Sequence, residues 1–229
     1  MKKRLLSIVL ILSMMMCLVP ITAFAEGETA TGTAAIQFGT DAISVLSKNV
    51  NTANAPTVYF GQNHENNPAA WRVIGYDGSG VASTQGDMAL LAAYNMGWTM
   101  FGESNAYADS DLKEAVDTLA GKLTAKETDA VEKRTLASGS YEGENTDCVA
   151  GPAVSNAVFW PLSSKEACAV NDNLRIVDPE HMGWLSSFWL LRSPSASDSD
   201  VTYVEGDGVV KFNYSVYGIY QELGVRPAF

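Results

Sequence analysis

The residues with the chemistry of a binding surface lie close together near the C-terminal end of the chain. Residues 193–221 combine Ser, Asp, Asn and Gly with several tyrosines. Tyrosine provides a large contact area at low entropic cost, and small polar residues provide adaptable hydrogen bonds. The alternation Phe212-Asn213-Tyr214-Ser215 fits equally well the packing of an ordinary half-buried strand. The ligand contacts that this segment predicts are Asp198, Asp200, Tyr203, Tyr214, Tyr217 and Tyr220.

Carboxylates in the same segment raise the question of a metal. Asp198, Asp200, Glu205 and Asp207 surround a predicted hairpin and could supply oxygen ligands to calcium, the one candidate cofactor. The ligand order of an EF-hand fails, because Thr202 stands where a third ligand belongs. A solvated acidic rim is therefore the favoured interpretation, and no metal site is predicted.

No catalytic residue is predicted. The run Gly139-Ser140-Tyr141-Glu142-Gly143 has its serine one place too early for the nucleophile elbow of hydrolases. His64 and His181 stand outside any motif, and a histidine of that kind is by default a surface loop residue.

Two cysteines, Cys148 and Cys168, follow the N-terminal region. They lack the short spacing of a zinc site. A disulfide between them would close a loop and stabilise the fold by about 3 kcal/mol. Two separate small thiols are the equally weighted alternative.

Residues 1–25 predict a cleaved secretory signal peptide. Basic residues at positions 2–4 precede an apolar stretch from Leu5 to Val19, and Ala23-Phe24-Ala25 supplies the cleavage site. The stretch is shorter than the roughly 20 residues of a membrane-spanning helix. We therefore expect cleavage before Glu26, secretion, and no membrane insertion of the mature chain.

Charge narrows the range of partners. The mature chain would carry 12 basic and 26 acidic residues, a net charge of −14. Nucleic acid and anionic membranes would repel such a chain, so neither is expected as a partner. Residues 26–35, made of Glu, Gly, Thr and Ala, predict a flexible leader. Residues 36–229 have a length suited to a single domain.

The order of secondary structure predicts an α+β fold. Short β-branched and aromatic runs at 57–60, 71–74 and 88–93 indicate strands. Helices are expected after the N-cap Ser110 and after capping boxes that begin at Thr124 and Ser163. Strands are again expected at 188–191, 201–204, 209–212 and 225–229, with a tight turn at Asp207-Gly208. Strands, then helices, then strands indicate an α+β domain around an antiparallel sheet.

Several segments in this order resemble a family. They are Gly39-Thr40-x-x-Ile43, Val58-Tyr59-Phe60-Gly61, Trp71-Arg72-Val73-Ile74, Ala108-Asp109-Ser110-Asp111-Leu112, Val158-Phe159-Trp160-Pro161-Leu162-Ser163, Trp189-Leu190-Leu191-Arg192-Ser193-Pro194 and Gly224-Val225-Arg226-Pro227-Ala228-Phe229. The set is similar to an exported bacterial domain of unknown function from surface proteins. That domain is itself similar to the C-type-lectin-like fold of formylglycine-generating enzymes and retroelement variable proteins.

The resemblance implies a small antiparallel or mixed sheet, two to three helices and a loop-rich half. It also implies that Trp189, Arg192 and Arg226 are structural motif residues, with the arginines tying loops through carboxylates or carbonyls. In the retroelement-type relatives, the region between the tryptophan motif and the final arginine motif displays the ligand site. The calcium and sugar motifs of true lectins are absent from this sequence, so sugar binding is not implied.

These observations favour a secreted, non-catalytic domain that binds a glycan or protein at or outside the cell surface. A secreted hydrolase acting on a wall or dietary polymer is the rival. A hydrolase of that kind needs two carboxylates that face each other across a cleft.

Overall fold

The structure, a computed structural model, describes residues 49–76, 88–177, 187–215 and 222–229. All of them belong to one compact unit, Ser44–Phe229. The expected signal peptide and leader therefore lie outside the described residues, as do Tyr217, Tyr220 and His181.

The described residues contain four α-helices, one more than the resemblance implies. They are α1 (Asp111–Ala120), α2 (Ala125–Ala130), α3 (Ser164–Ala169) and α4 (Asp172–Arg175). The first three begin where the capping residues predicted, because in each the side-chain hydroxyl at the N-cap accepts a hydrogen bond from the third backbone N–H of the helix. The additional helix, α4, is a four-residue turn, too short for periodicity to reveal it.

Twelve strands are described, several of them only two or three residues long. They are β1 (Thr57–Gln62), β2 (Pro68–Tyr76), β3 (Met88–Ala92), β4 (Trp98–Thr99), β5 (Arg134–Leu136), β6 (Val154–Ala157), β7 (Trp160–Pro161), β8 (Trp189–Pro194), β9 (Asp200–Val204), β10 (Val210–Ser215), β11 (Leu223–Gly224) and β12 (Pro227–Ala228). The strands predicted in the N-terminal and C-terminal parts are present, while β4, β5, β6 and β7 had no sequence signal.

The strands form two five-stranded sheets and one two-stranded sheet. The first has the order β1-β2-β3-β12-β7, the second β10-β9-β8-β11-β4, and β5 pairs with β6. The pairing of β11 with β8 is parallel and the other strand pairings are antiparallel, so the second sheet is mixed. The predicted α+β class is confirmed.

The last eight residues join both sheets. Gly224 of β11 pairs with Trp189 of β8, and Ala228 of β12 pairs with Leu91 of β3 on one side and Trp160 of β7 on the other. The segment 223–228 is buried, and Gly224 lies beside Trp189. Its two strands belong to different sheets, however, where a single strand was predicted.

The aromatic centre of the core comes from distant parts of the chain. Trp71 of β2 is fully buried, and its ring centroid lies 5.1 Å from that of Phe159 and 4.6 Å from that of Phe229. Its indole N–H donates to the Phe60 carbonyl over 2.7 Å. Within the described residues, no helix is both long and apolar enough to cross a membrane.

The predicted hairpin turn lies between β9 and β10. The Glu205 N–H donates to the Val209 carbonyl at 2.9 Å, and the Asp207 carboxylate accepts from the Val209 N–H at 3.0 Å. Gly208 has a φ of 85°, a conformation that disfavours residues with a Cβ. A Cβ at Gly208 would also lie 3.0 Å from the Asp172 carbonyl oxygen of α4.

We expect Gly208→Ala to be more destabilising than Gly143→Ala. Gly143 also has a positive φ, 66°, but a Cβ there would meet no atom within 4 Å. Gly143→Ala should therefore cost only the backbone strain, about 1–2 kcal/mol. Gly208→Ala should cost about 1–3 kcal/mol more, because α4 has to move. Chemical denaturation of both variants measures the difference, and equal losses would contradict it.

Candidate ligand-binding surface

The β9–β10 hairpin brings together two of the tyrosines singled out in the sequence. Tyr203 lies on β9 and Tyr214 on β10, with ring centroids 5.4 Å apart and ring planes tilted by 57°. Both side chains are half-buried and pack against the core. Phe188 extends the row, with its ring centroid 6.3 Å from that of Tyr203. We call these three residues the aromatic row.

Glu205 and Lys211 form the polar end of the aromatic row. The Tyr203 hydroxyl donates to Glu205 Oε1 at 3.1 Å, and Lys211 Nζ lies 3.5 Å from Glu205 Oε2. Burial and the bond to Glu205 raise the pKa of Tyr203 to about 12. Burial also raises the pKa of Tyr214. Both phenols are therefore neutral hydrogen-bonding groups at ordinary pH.

Neither acidic residue expected beside the tyrosines lies on their face of the sheet. Asp198 is in the β8–β9 turn, where its backbone carbonyl accepts from the Asn105 N–H. Asp200 begins β9, and alternation along the strand puts it on the same side as Thr202 and Val204, opposite to Tyr203. Asp200 therefore does not share the face of Tyr203, because an odd separation along a strand reverses the face. The predicted ligand contacts of Asp198 and Asp200 stay a prediction.

The four carboxylates considered for calcium do not form one group either. Asp198 and Asp200 lie at the start of β9, while Glu205 and Asp207 lie beyond its other end. Across the parts of the chain that the structure describes, no three His, Cys, Asp or Glu residues cluster as metal ligands.

Arg192 is the centre of a buried ionic network. It is 1% exposed and donates to the Pro161 carbonyl at 2.9 Å, to Asp147 Oδ1 at 2.8 Å and to Glu166 Oε2. The other oxygen of Glu166 accepts from Arg134. Burial by itself would raise the pKa of Glu166, but Arg192 and Arg134 outweigh it and hold that pKa at about 2. The cluster joins α3 to β8, to β5 through Arg134 and to the β5–β6 loop through Asp147.

Arg226 is buried without a carboxylate partner among the described residues. It donates to the carbonyls of Ala92, Leu174 and Arg175 at 2.8, 2.6 and 3.0 Å. Its guanidinium also lies over the ring of Trp189, 5.0 Å from the centroid. Burial lowers the pKa of Arg226 to about 9, so the side chain remains charged at neutral pH. Trp189 and Arg226 thus connect the second sheet to α4.

Cys148 and Cys168 are free thiols in the structure. Of the two alternatives left open by the sequence, the structure contains the unbonded one. Cys148 Sγ lies 3.2 Å from the Ser140 carbonyl oxygen, and Cys168 is exposed on α3. Burial raises the pKa of both thiols, which disfavours the nucleophilic thiolate.

Glu205 and Lys211 belong to the surface, although the sequence did not predict them there. Counting outward from Asp207-Gly208 as a two-residue turn pairs residue 203 with residue 212, whereas the structure pairs it with residue 211. The difference arises because Glu205 faces Val209, so three residues, 206–208, form the loop. The position of the turn therefore does not by itself predict the Glu205–Lys211 pair.

These features define a class: an α+β domain whose two sheets are joined by its C-terminal strands and by buried arginines. The chain belongs to the family described as "Domain of unknown function (DUF6273)", whose model matches residues 88–229, more than half of the chain. No curated protein and no solved structure matches it. The resemblance to a family of unknown function is confirmed. The match begins at β3, so β1 and β2 precede it.

Proposed function

We propose that this protein is a secreted ligand-binding domain that contacts a glycan or protein partner through the aromatic row. The observation that carries the proposal is the Tyr203–Tyr214 pair, half-buried and held on a two-stranded hairpin. Half-buried aromatics on a stiff scaffold lose little entropy when they bind. The acidic net charge favours neutral or basic partners over nucleic acid and anionic membranes.

A relation to C-type-lectin-like proteins is part of the proposal. The support is the order of the motifs, the α+β class and the position of Tyr203 and Tyr214 between the Trp189 motif and the Arg226 motif. The analogy concerns the place of the ligand surface only, since a fold does not carry a function with it.

The carboxylates beside the motif arginine favour binding over hydrolysis. Glu166 and Asp147 both accept hydrogen bonds from Arg192. A general acid requires a raised pKa, whereas that of Glu166 is lowered. Pairs of this kind stabilise the fold and do not resemble the acid and base of a glycosidase.

Alanine substitution at Tyr203 and Tyr214 tests the proposal. Each variant should weaken capture of a partner found on a glycan or protein array at least ten-fold, as loss of an aromatic hot spot does. Each should also lose about 2 kcal/mol of stability, since truncation of a fully buried aromatic costs about 3–5 kcal/mol and these rings are half-buried. Capture is measured below the melting temperature of each variant.

Phe212→Ala is the matched control. Phe212 is half-buried on the same strand as Tyr214. Its ring packs against that of Tyr141, with 6.0 Å between the ring centroids. This variant should lose similar stability and keep full capture. If Phe212→Ala weakens capture as much as the tyrosine variants do, the aromatic row is not the binding surface.

A further inference from the structure

A cation, the ammonium of Lys211, already lies beside Glu205 at the polar end of the aromatic row. Lys211 is directly opposite Tyr203 in the strand register, and its ammonium lies 3.5 Å from Glu205 Oε2. The other oxygen of Glu205 accepts from the Tyr203 hydroxyl. The carboxylate is therefore anchored to the ring at one oxygen and paired with a lysine at the other.

The ring geometry suits a positively charged group. The face of an aromatic ring carries negative potential, and it attracts ammonium and guanidinium groups. The rings of Tyr203 and Tyr214 are tilted by 57°, so together they form a wedge. A compact cation in such a wedge contacts both rings and has the Glu205 carboxylate nearby.

The net charge of the chain also favours a positively charged ligand. The full sequence has a net charge of −11, so its long-range field attracts cations and repels anions. Glu205 and Lys211 are both partly exposed, with 31% and 41% of their side chains accessible. A ligand cation can therefore reach Glu205, and the lysine can swing away into solvent at low cost.

We propose that the wedge formed by Tyr203, Tyr214 and Glu205 binds an organic cation, an alkylated ammonium group of the ligand. Lys211 then acts as an internal competitor that occupies Glu205 in the absence of ligand. This inference rests on the proposed function, since it names the chemical class that the same surface recognises.

A titration with choline chloride tests the inference. The neutral comparison is 3,3-dimethylbutan-1-ol, which has the same shape without the charge. Tyrosine ring signals are followed by NMR at constant ionic strength. Choline should bind about two- to five-fold more tightly than the alcohol, the range expected for cation–π attraction at an exposed site.

Two variants should change choline affinity in opposite directions. Lys211→Met removes the competitor and should tighten choline binding about two- to five-fold. Glu205→Gln keeps a hydrogen-bond acceptor for Tyr203 but removes the charge, and it should weaken binding by a similar factor. Lys113→Met is the control, because it removes the same charge from a surface ion pair on α1. It should leave choline affinity unchanged.

Three results would overturn the inference: equal affinity for choline and the neutral alcohol, no binding of either, or equal effects of Lys211→Met and Lys113→Met. None of these bears on the proposed function, which depends on capture of the array partner by the tyrosine variants. If Tyr203→Ala and Tyr214→Ala leave that capture intact, the proposed function fails, regardless of the affinity measured for choline.

Discussion

A chain cut to residues 88–229 will not fold, although the family model covers all of it. The cut removes β1 and β2, and β2 lies between β1 and β3 inside the first sheet. Trp71, Val73 and Ile74 of β2 are fully buried. Burial of each large apolar side chain contributes roughly 1.5–3 kcal/mol, and a whole domain is stable by only about 5–15 kcal/mol.

The truncation also damages what remains. Phe159 and Phe229 would lose the ring of Trp71, and β3 would become an edge strand that pairs only with β12. We expect no cooperative thermal transition and a weak near-ultraviolet circular dichroism signal. A chain of residues 44–229 is the control and should unfold cooperatively, because it keeps the whole compact unit. Cooperative unfolding of 88–229 near the temperature of the control would show that β1 and β2 are dispensable.

Glu166→Gln should be the most destabilising single polar substitution that we predict. Glu166 is buried, and its carboxylate accepts from Arg192, Arg134 and the Ser163 N–H. Neutralising it leaves Arg192 buried with one carboxylate, Asp147, in place of two. Removing one partner of a buried ion pair costs about 3–5 kcal/mol. Denaturant unfolding at pH 7 measures the loss.

The exposed pair of Lys113 and Asp117 provides the control. Its atoms are 2.6 Å apart, but 56% of the Asp117 side chain is accessible. Asp117→Asn should therefore cost less than about 1 kcal/mol. A loss below 1 kcal/mol for Glu166→Gln as well would mean that the buried network contributes little to stability.

The cost of Glu166→Gln should depend on pH in a defined direction. The pKa of Glu166 is lowered from 4.5 to about 2 on folding. Its contribution is therefore fully present above pH 4.5 and is lost as the pH falls through the folded-state value. The stability difference between the native chain and the variant should shrink between pH 4.5 and pH 2. A difference that stays constant over that range would contradict the assigned ion pairs.

Local signals in the sequence were enough to predict the starts of three helices and the position of the β9–β10 turn. Ser110, Thr124 and Ser163 begin helices because a capping hydroxyl reaches a backbone N–H only three residues away. The Asp207-Gly208 turn is equally local. Such interactions are complete within a few residues, so their pattern can be recognised without knowledge of the rest of the fold.

The candidate surface was only partly predictable. Tyr203 and Tyr214 are neighbours across one hairpin, but a register shift between Lys211 and Tyr214 decides that they share a face. The turn alone does not predict that shift. Asp198 and Asp200 were grouped with them by closeness in sequence, but the two-residue period of a strand separates Asp200 from the tyrosine face. Composition alone does not distinguish the two faces of a strand.

The sequence by itself determined the α+β class, the starts of three helices, the hairpin and the family of this protein. Only the tertiary structure decided which charges meet. Glu166 was recognisable as a capping residue, yet its partner Arg192 is 26 residues away. Arg226 binds carbonyls more than 50 and more than 130 residues away. The packing of the two sheets and the helices brings these partners together. Each contact becomes strong only when that packing has removed the surrounding water.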